Sequence, residues 1–277
     1  MRFILQTGNW YTDWKNIQTS VPEADALGFW GFVMPDHYMW GPDRGGDSTL
    51  ETWITLTYLA AKTDQLHLGT LVTPIPFRPP AMLAKELSVL DILSGGRVML
   101  GVGAGWSETE FKGYSVWDGP KVRVDKTSEG LELILKLWSS KGKIDWKGKY
   151  YNTSGAVLEP KPVQIPHPPL LFGGVGKRML QMAGKYSDIC LIPSWTQIGR
   201  EESKKIVIDS AKKNSRESKI SFASLSFSRE GYNRNDASKL VAAAKDEGSE
   251  YYIVGFPRNG YSEAMSDFAK EIMPSYS

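Results

Sequence analysis

Two side chains able to move a proton stand together in the stretch Gly31-Phe32-Val33-Met34-Pro35-Asp36-His37-Tyr38. Its first half is apolar and β-prone, and its second half turns abruptly to an acid, an imidazole and a phenol. A buried strand that ends at a working surface has this pattern. His37 is one of 3 histidines, and an imidazole titrates near neutral pH, which suits general acid–base work. The same letters also fit a plain structural pair, with Asp36 bonding a histidine at a strand end. What the rest of the chain places beside them decides between the two.

Two glycine-rich stretches are the next candidates. Gly101-Val102-Gly103-Ala104-Gly105-Trp106 is not a dinucleotide fingerprint, because Trp106 stands where a third, spaced glycine belongs. Gly173-Gly174-Val175-Gly176-Lys177-Arg178 opens a helix but is not a P-loop. Leu171 lies at the first glycine position, and Arg178 replaces the Ser or Thr after the lysine. Its physics still favours an anion: small residues admit a phosphate to the backbone, a helix N-terminus offers N–H groups, and two basic side chains follow. A glycine-rich turn with exposed basic residues explains the stretch equally well. Glu108 and Glu110 could form an acid pair with Asp36, but they lie at a helix start, where such acids more often cap a first turn and face water. A metal centre lacks converging ligands: His67 begins a strand and His167 lies in Ile165-Pro166-His167-Pro168-Pro169, a surface loop. No Gly-x-Ser-x-Gly elbow is present, and Cys190, within Ile189-Cys190-Leu191-Ile192, reads as core.

The elements that must position these residues follow from periodicity. Strands are predicted at Arg2 to Thr7, the opening stretch, His67 to Val72, Arg97 to Val102, Leu170 to Phe172, Ile189 to Ile192, Lys219 to Ser224 and Tyr251 to Val254. Helices are predicted at Trp14 to Leu27, with Pro22 kinking or dividing it, Thr49 to Ala61 with Ser48 as cap, Pro80 to Leu93, and Arg123 to Trp138. Four more run from Arg178 to Tyr186, Glu201 to Asn214, Asp236 to Glu247 and Ser262 to Ile272. Strand and helix alternate eight times over 277 residues, which predicts an α/β fold of the (β/α)8 TIM-barrel type. An open doubly wound sheet is the alternative. A single domain, 1–277, is expected, with a Pro-rich excursion and small hairpin at about 141–169 packed over one end. In a barrel, chemistry sits where strands end, which is where Asp36 and His37 fall and His67 does not. The helix Pro80 to Leu93 is apolar nearly all round, so it should be buried on a second side, against another copy in a homodimer.

Composition narrows the partners. Net charge is +2, from 33 basic and 31 acidic residues, which signals neither nucleic acid nor a membrane surface. One cysteine excludes an internal disulfide and suits a reducing compartment. The apolar N-terminus is too short for a signal peptide and no run is long enough to span a membrane, so a cytoplasmic location is expected. Ten tryptophans and twelve tyrosines suit a pocket with flat apolar walls for a small-molecule substrate.

Taken together, these stretches resemble the bacterial luciferase-like monooxygenase superfamily, and within it the coenzyme F420-dependent oxidoreductases. The resemblance rests on Gly31 to Tyr38, Leu68 to Arg78 with Pro80 to Leu90, Leu93 to Trp106, Pro160 to Pro162, Leu171 to Ala183 and Ile253 to Arg258. It implies a barrel with insertions that holds a deazaflavin or flavin across its C-terminal mouth, in a homodimer. Asp36 would then contact the ring region and His37 would act as acid or base beside the hydride-transferring carbon. A non-proline cis peptide would fall at Leu71–Val72, with Thr73, Gly103 and Ala104 also at the cofactor. Gly173, Gly174, Val175 and Gly176 would hold its phosphate, assisted by Pro193 and Ser194, although barrel phosphate sites often use later loops. The sugar-phosphate dehydrogenases of this branch carry a glutamate where this chain has Trp106. With Tyr38, Trp40 and Trp195, that departure implies a less polar substrate. F420 is the expected cofactor and hydride transfer the expected reaction, with FMN and oxygen activation as the alternative. A binding protein without turnover is a third reading.

Overall fold

The computed structural model describes residues 1–6, 14–39, 49–227 and 231–276. The chain begins with β1 (Arg2–Gln6), α1 (Trp14–Ala26) and β2 (Gly31–Met34), then α2 (Thr52–Ala60), β3 (His67–Thr70), β4 (Thr73–Pro74), α3 (Pro80–Leu93) and β5 (Val98–Gly103). Next come α4 (Glu108–Tyr114), α5 (Pro120–Ser139) and an antiparallel hairpin, β6 (Ile144–Lys147) and β7 (Asn152–Ala156). The rest is β8 (Leu170–Phe172), α6 (Lys177–Tyr186), β9 (Ile189–Leu191), α7 (Arg200–Lys213), β10 (Ser221–Phe227), α8 (Arg234–Asp246), β11 (Tyr251–Gly255) and α9 (Tyr261–Glu271). Strand β1 pairs in parallel with both β2 and β11, and β3 pairs with β5, so the sheet closes on itself. The result is an eight-stranded parallel barrel in the order β1-β2-β3-β5-β8-β9-β10-β11, the TIM barrel that the alternation predicts.

The pleat sorts the strands into two cores. Along β1, Phe3 and Leu5 point outward to the helices, whereas Ile4 points inward. Ile4, Val33, Met99, Leu171, Leu191, Ala223 and Ile253 fill the barrel interior. Val98, Leu100 and Val102 of β5 point outward instead, into the core beneath the helices. Helix α3 has the predicted bounds, with Pro80 at its first turn. Leu83, Leu87 and Leu90 are buried, and Met82 and Leu93 stay exposed.

Three departures have local causes. Pro22 does not divide α1, because Ile17, Val21 and Ala24 anchor the helix on both sides of it. Helix α2 starts at Thr52, where the Glu51 side chain accepts the Ile54 N–H at 2.7 Å; Ser48 lies outside the described residues. Helix α4, whose start the acids Glu108 and Glu110 signalled, is only 7 residues long, too short for its bounds to show as periodicity. The excursion is tied down from the helices beside it. Glu129 of α5 accepts the N–H groups of Lys149, Tyr150 and Tyr151, and Asp91 of α3 accepts those of Val163 and Gln164. Gln164 also donates to the carbonyl of Val98 at the start of β5, so this segment covers the end of the barrel away from the strand C-termini. No helix among the described residues is long and apolar enough to cross a membrane.

Candidate active site

Above the layer of Val33 and Leu171, the inward positions become small. Gly103, Gly173 and Gly255 occupy the places where β5, β8 and β11 would otherwise carry interior side chains, two residues beyond an inward position. A cavity of about 820 Å³ opens there, at the C-terminal mouth. Val72 is wedged between two of these glycines: a Cβ on Gly103 would lie 2.5 Å from one Val72 methyl, and one on Gly173 would lie 3.1 Å from the other. The Leu71–Val72 peptide is cis, at the position the resemblance implies, and both residues form part of the wall.

His37 reaches the cavity through the same alternation. Pro35 and His37 line it, and Asp36, between them, points the other way. Asp36 is therefore not on the wall. Its carboxylate accepts two hydrogen bonds from Arg78, at 2.5 and 3.0 Å, and one from Thr73 at 2.7 Å. Arg78 also donates to the Tyr38 hydroxyl at 2.9 Å and to Glu51 at 3.2 Å. Burial works against the Arg78 charge, but the bonds to Asp36 and its negative charge outweigh it and hold the guanidinium well above its usual range. Burial pushes the Glu51 carboxyl up. The Thr52 hydroxyl donates to the Pro35 carbonyl at 2.8 Å, fixing the backbone just ahead of His37. Tyr38 stacks on Phe77 and Tyr114, outside the cavity.

The partner of His37 is Glu110, not Asp36. The sequence points Glu110 at water as a first-turn acid of α4; the structure buries it to 2% exposure. Residues two apart on a helix lie about 200° apart, since successive residues turn by about 100°. Glu108 thus faces solvent, paired with Lys112 at 2.8 Å, and Glu110 faces inward beside buried Phe111. Its carboxylate accepts from His37 Nδ1 at 2.7 Å and from the backbone N–H groups of Tyr38 at 2.5 Å and Met39 at 3.3 Å. A carboxylate that accepts two N–H groups makes Nδ1 the protonated nitrogen of the ring. Proton exchange with the cavity then falls to Nε2. Phe111 and Tyr114 were the available signal, because they mark the 110–111–114 face of α4 as the inward one.

The remaining expected residues divide cleanly. Gly103, Ala104, Gly173, Gly174, Val175 and Pro193 line the cavity, and Trp106 and Trp195 rim it, at 64% and 58% exposure. The Trp106 ring meets His37 edge-on, 5.5 Å between centroids. Thr73 is buried against Asp36, Ser194 is exposed, and Gly176 caps α6; none of the three lines the cavity. Trp40 lies outside the described residues. Gln6, Met179, Leu225 and Phe227 line the wall without having been signalled. They come from strand ends and a helix turn whose inward side is set only by closure.

Helix α6 begins beside this cavity with glycine at its cap, so no side chain satisfies the N–H groups of its first turn. A Cβ on Gly174 would fall 2.8 Å from Cβ of Met179, so the turn closes tightly on the helix it precedes. An uncapped helix start behind a backbone-only wall fits a phosphate, and the flat apolar walls fit a tricyclic ring. Arg178 does not complete that site; its guanidinium is bound to Asp125 of α5. No group of His, Cys, Asp or Glu among the described residues could hold a metal ion.

The chain belongs to the luciferase-like monooxygenase family, whose model matches residues 3–269. Among known proteins it is similar to a 5,10-methylenetetrahydromethanopterin reductase of Archaeoglobus fulgidus, 29% identical over 237 residues, covering 80% of this chain and 69% of that one. It is also similar to an FMNH2-dependent dimethylsulfone monooxygenase of Pseudomonas putida, 30% identical over 146 residues, covering 52% of this chain and 39% of that one. In fold it matches an F420-dependent secondary alcohol dehydrogenase solved with an F420-acetone adduct, at a TM-score of 0.85 and 19% identity, covering 100% of this chain and 99% of that one.

Proposed function

We propose that this protein is an F420-dependent oxidoreductase that passes a hydride between the deazaflavin and a small organic substrate, a carbonyl, an alcohol or an activated double bond. The observation that carries this reading is the buried His37–Glu110 pair, which opens into the same cavity as the glycine turn before α6. When bound, the cofactor supplies hydride chemistry, which no side chain of the chain can. The turn Gly173 to Gly176 and the first N–H groups of α6 hold its phosphate. The Leu71–Val72 wall, wedged by Gly103 and Gly173, positions the ring. Glu110 orients His37 through Nδ1, and Nε2 delivers or accepts the proton that must accompany the hydride. Trp106 and Trp195 shield the mouth from water.

FMN is the second reading, favoured by the monooxygenase relative; a phosphate and a flat ring fit the same walls. Titration of the purified protein with F420 and with FMN, followed by fluorescence, separates them. Tight FMN binding with none for F420 overturns the cofactor assignment. Replacing His37 by Ala is expected to lower turnover about 10²–10⁴-fold with cofactor binding retained, as for loss of a general acid–base group. We also infer a homodimer in the cytoplasm. Helices α2 and α3 pack on each other, and between them they expose Ile54, Tyr58, Met82 and Leu93, apolar surface suited to a second copy. A sedimentation mass of one chain at micromolar concentration counts against it.

A further inference from the structure

Gln6, the last residue of β1, points into the cavity from the inward side of the strand, one step above Ile4. The residue is 4% exposed. Its carbonyl accepts the Tyr261 hydroxyl at 3.2 Å, which fixes the strand end. Its side-chain amide has no hydrogen-bond partner among the described residues. The amide opens onto the cavity, so a ligand bound there can supply its hydrogen-bond partner. Gly255 on the neighbouring β11 makes room for it: a Cβ there would sit 3.1 Å from Gln6 Oε1 and 2.8 Å from the Phe227 ring.

Position in the barrel distinguishes the two ends of the cavity. Gln6 pairs in register with Val33, so Gln6 and His37 rise from adjacent strands. The glycine turn after β8 lies four strands away in either direction around the ring, diametrically opposite. A phosphate held there does not meet Gln6; a reacting centre beside His37 does. No Lys, Arg, Asp or Glu side chain lines the cavity among the described residues; Leu71, Val72, Leu225, Phe227, Trp106 and Trp195 form its apolar walls. A charged substrate group at this end would meet no Lys, Arg, Asp or Glu side chain, only the His37 imidazole.

We propose that Gln6 hydrogen-bonds the reacting oxygen of a neutral, apolar carbonyl compound, or of the corresponding alcohol, and holds it against His37. This inference rests on the deazaflavin reading above and names its substrate class. In the reducing direction the carbonyl carbon gains a hydride from the reduced deazaflavin and the π pair moves to oxygen. That oxygen takes the Nε2 proton of His37 in its doubly protonated form, leaving the neutral ring with its proton on Nδ1 toward Glu110; the carbonyl is reduced and the deazaflavin oxidised. The Gln6 amide donates to the carbonyl oxygen and accepts from the alcohol hydroxyl, so it serves both directions.

Cyclohexanecarboxamide, a neutral carbonyl compound that is not readily reduced, and cyclohexanecarboxylate, of the same shape but charged, test this by calorimetry on F420-loaded protein. The amide is expected to bind at least tenfold more tightly than the carboxylate. Gln6→Leu is expected to weaken amide binding about three- to tenfold, the value of one neutral hydrogen bond, with F420 affinity unchanged. Gln6→Met, with its melting temperature measured alongside, guards against a folding defect and is expected to behave in the same way. Equal or tighter binding of the carboxylate, binding of neither compound, or amide binding indifferent to both substitutions overturns the proposal. A loss of F420 affinity in Gln6→Leu assigns the residue to the cofactor instead and also overturns it. Failure of the unmodified protein to bind F420 is a separate result and counts against the functional reading itself.

Discussion

Replacing Glu110 by Gln keeps shape and volume but removes the charge that fixes His37. The amide oxygen can still accept the N–H groups of Tyr38 and Met39, which lie 2.5 and 3.3 Å from the carboxylate. The amide NH2 then faces His37 Nδ1, 2.7 Å away, where the carboxylate accepts a proton now. Two donors cannot share that contact, so Nδ1 must give up its hydrogen and the ring carries it on Nε2. The imidazole can no longer act as base from Nε2, and its protonated form loses the counter-charge. A hydrogen bond to a charged group contributes about 1.5–3 kcal/mol, and at 1.36 kcal/mol per decade that alone is about 10- to 150-fold in rate. With the tautomer reversed as well, kcat is expected to fall about 10²-fold or more in the direction that needs a base, within the range for general acid–base catalysis. F420 affinity should be unchanged, because Glu110 does not line the cavity. Turnover is followed by the visible absorbance of the deazaflavin across pH 5–9, with the F420 dissociation constant measured in parallel. Glu110→Asp should restore part of the rate. A Glu110→Gln protein with unmodified kcat and an unmoved pH profile refutes the positioning argument.

Three further outcomes follow from the same geometry. Arg78→Met strands the Asp36 carboxylate in a buried site, and should cost about 3–5 kcal/mol of stability in urea denaturation, the usual penalty for breaking a buried pair. Gly103→Ala brings a Cβ to 2.5 Å from Val72 and should weaken F420 binding at least tenfold with little change in melting temperature, since Val72 gives way into the cavity. Burial lowers the His67 pKa below 6.5, with the charges of Arg2 and Arg97 adding to it and the bond to the Trp30 carbonyl opposing it. Below that pH the unfolded chain binds more protons than the folded one, so the His67 contribution is fully present above about pH 6.5 and lost as pH falls through the folded value. His67→Gln should flatten the pH dependence of stability below pH 6.5 measured by denaturant titration, and an unchanged slope contradicts this assignment.

The strand and helix succession was legible in the residues themselves. Apolar runs of period two and stripes of period 3.6 are local properties, and Pro80 marks a helix start without reference to anything distant. Eight repeats of that succession pointed to a barrel, which places His37 at the mouth and His67 at the far end; the pairing of β1 with β11 excluded the open sheet. The glycines at 103 and 173 were visible as letters. Their use was not, because it depends on Val72 arriving from another strand. Which acid serves His37 was likewise undecided by spacing: Asp36 is adjacent in sequence but turned outward by the pleat, and Glu110 is 73 residues away and turned inward by a short helix. Gln6 reads as an unremarkable end to a strand until closure brings β2 and β11 to either side of it. Sequence determines which side of its own element a residue occupies; only the closed sheet decides what that side faces, because burial, charge pairing and cavity shape are set by contacts between segments far apart in the chain.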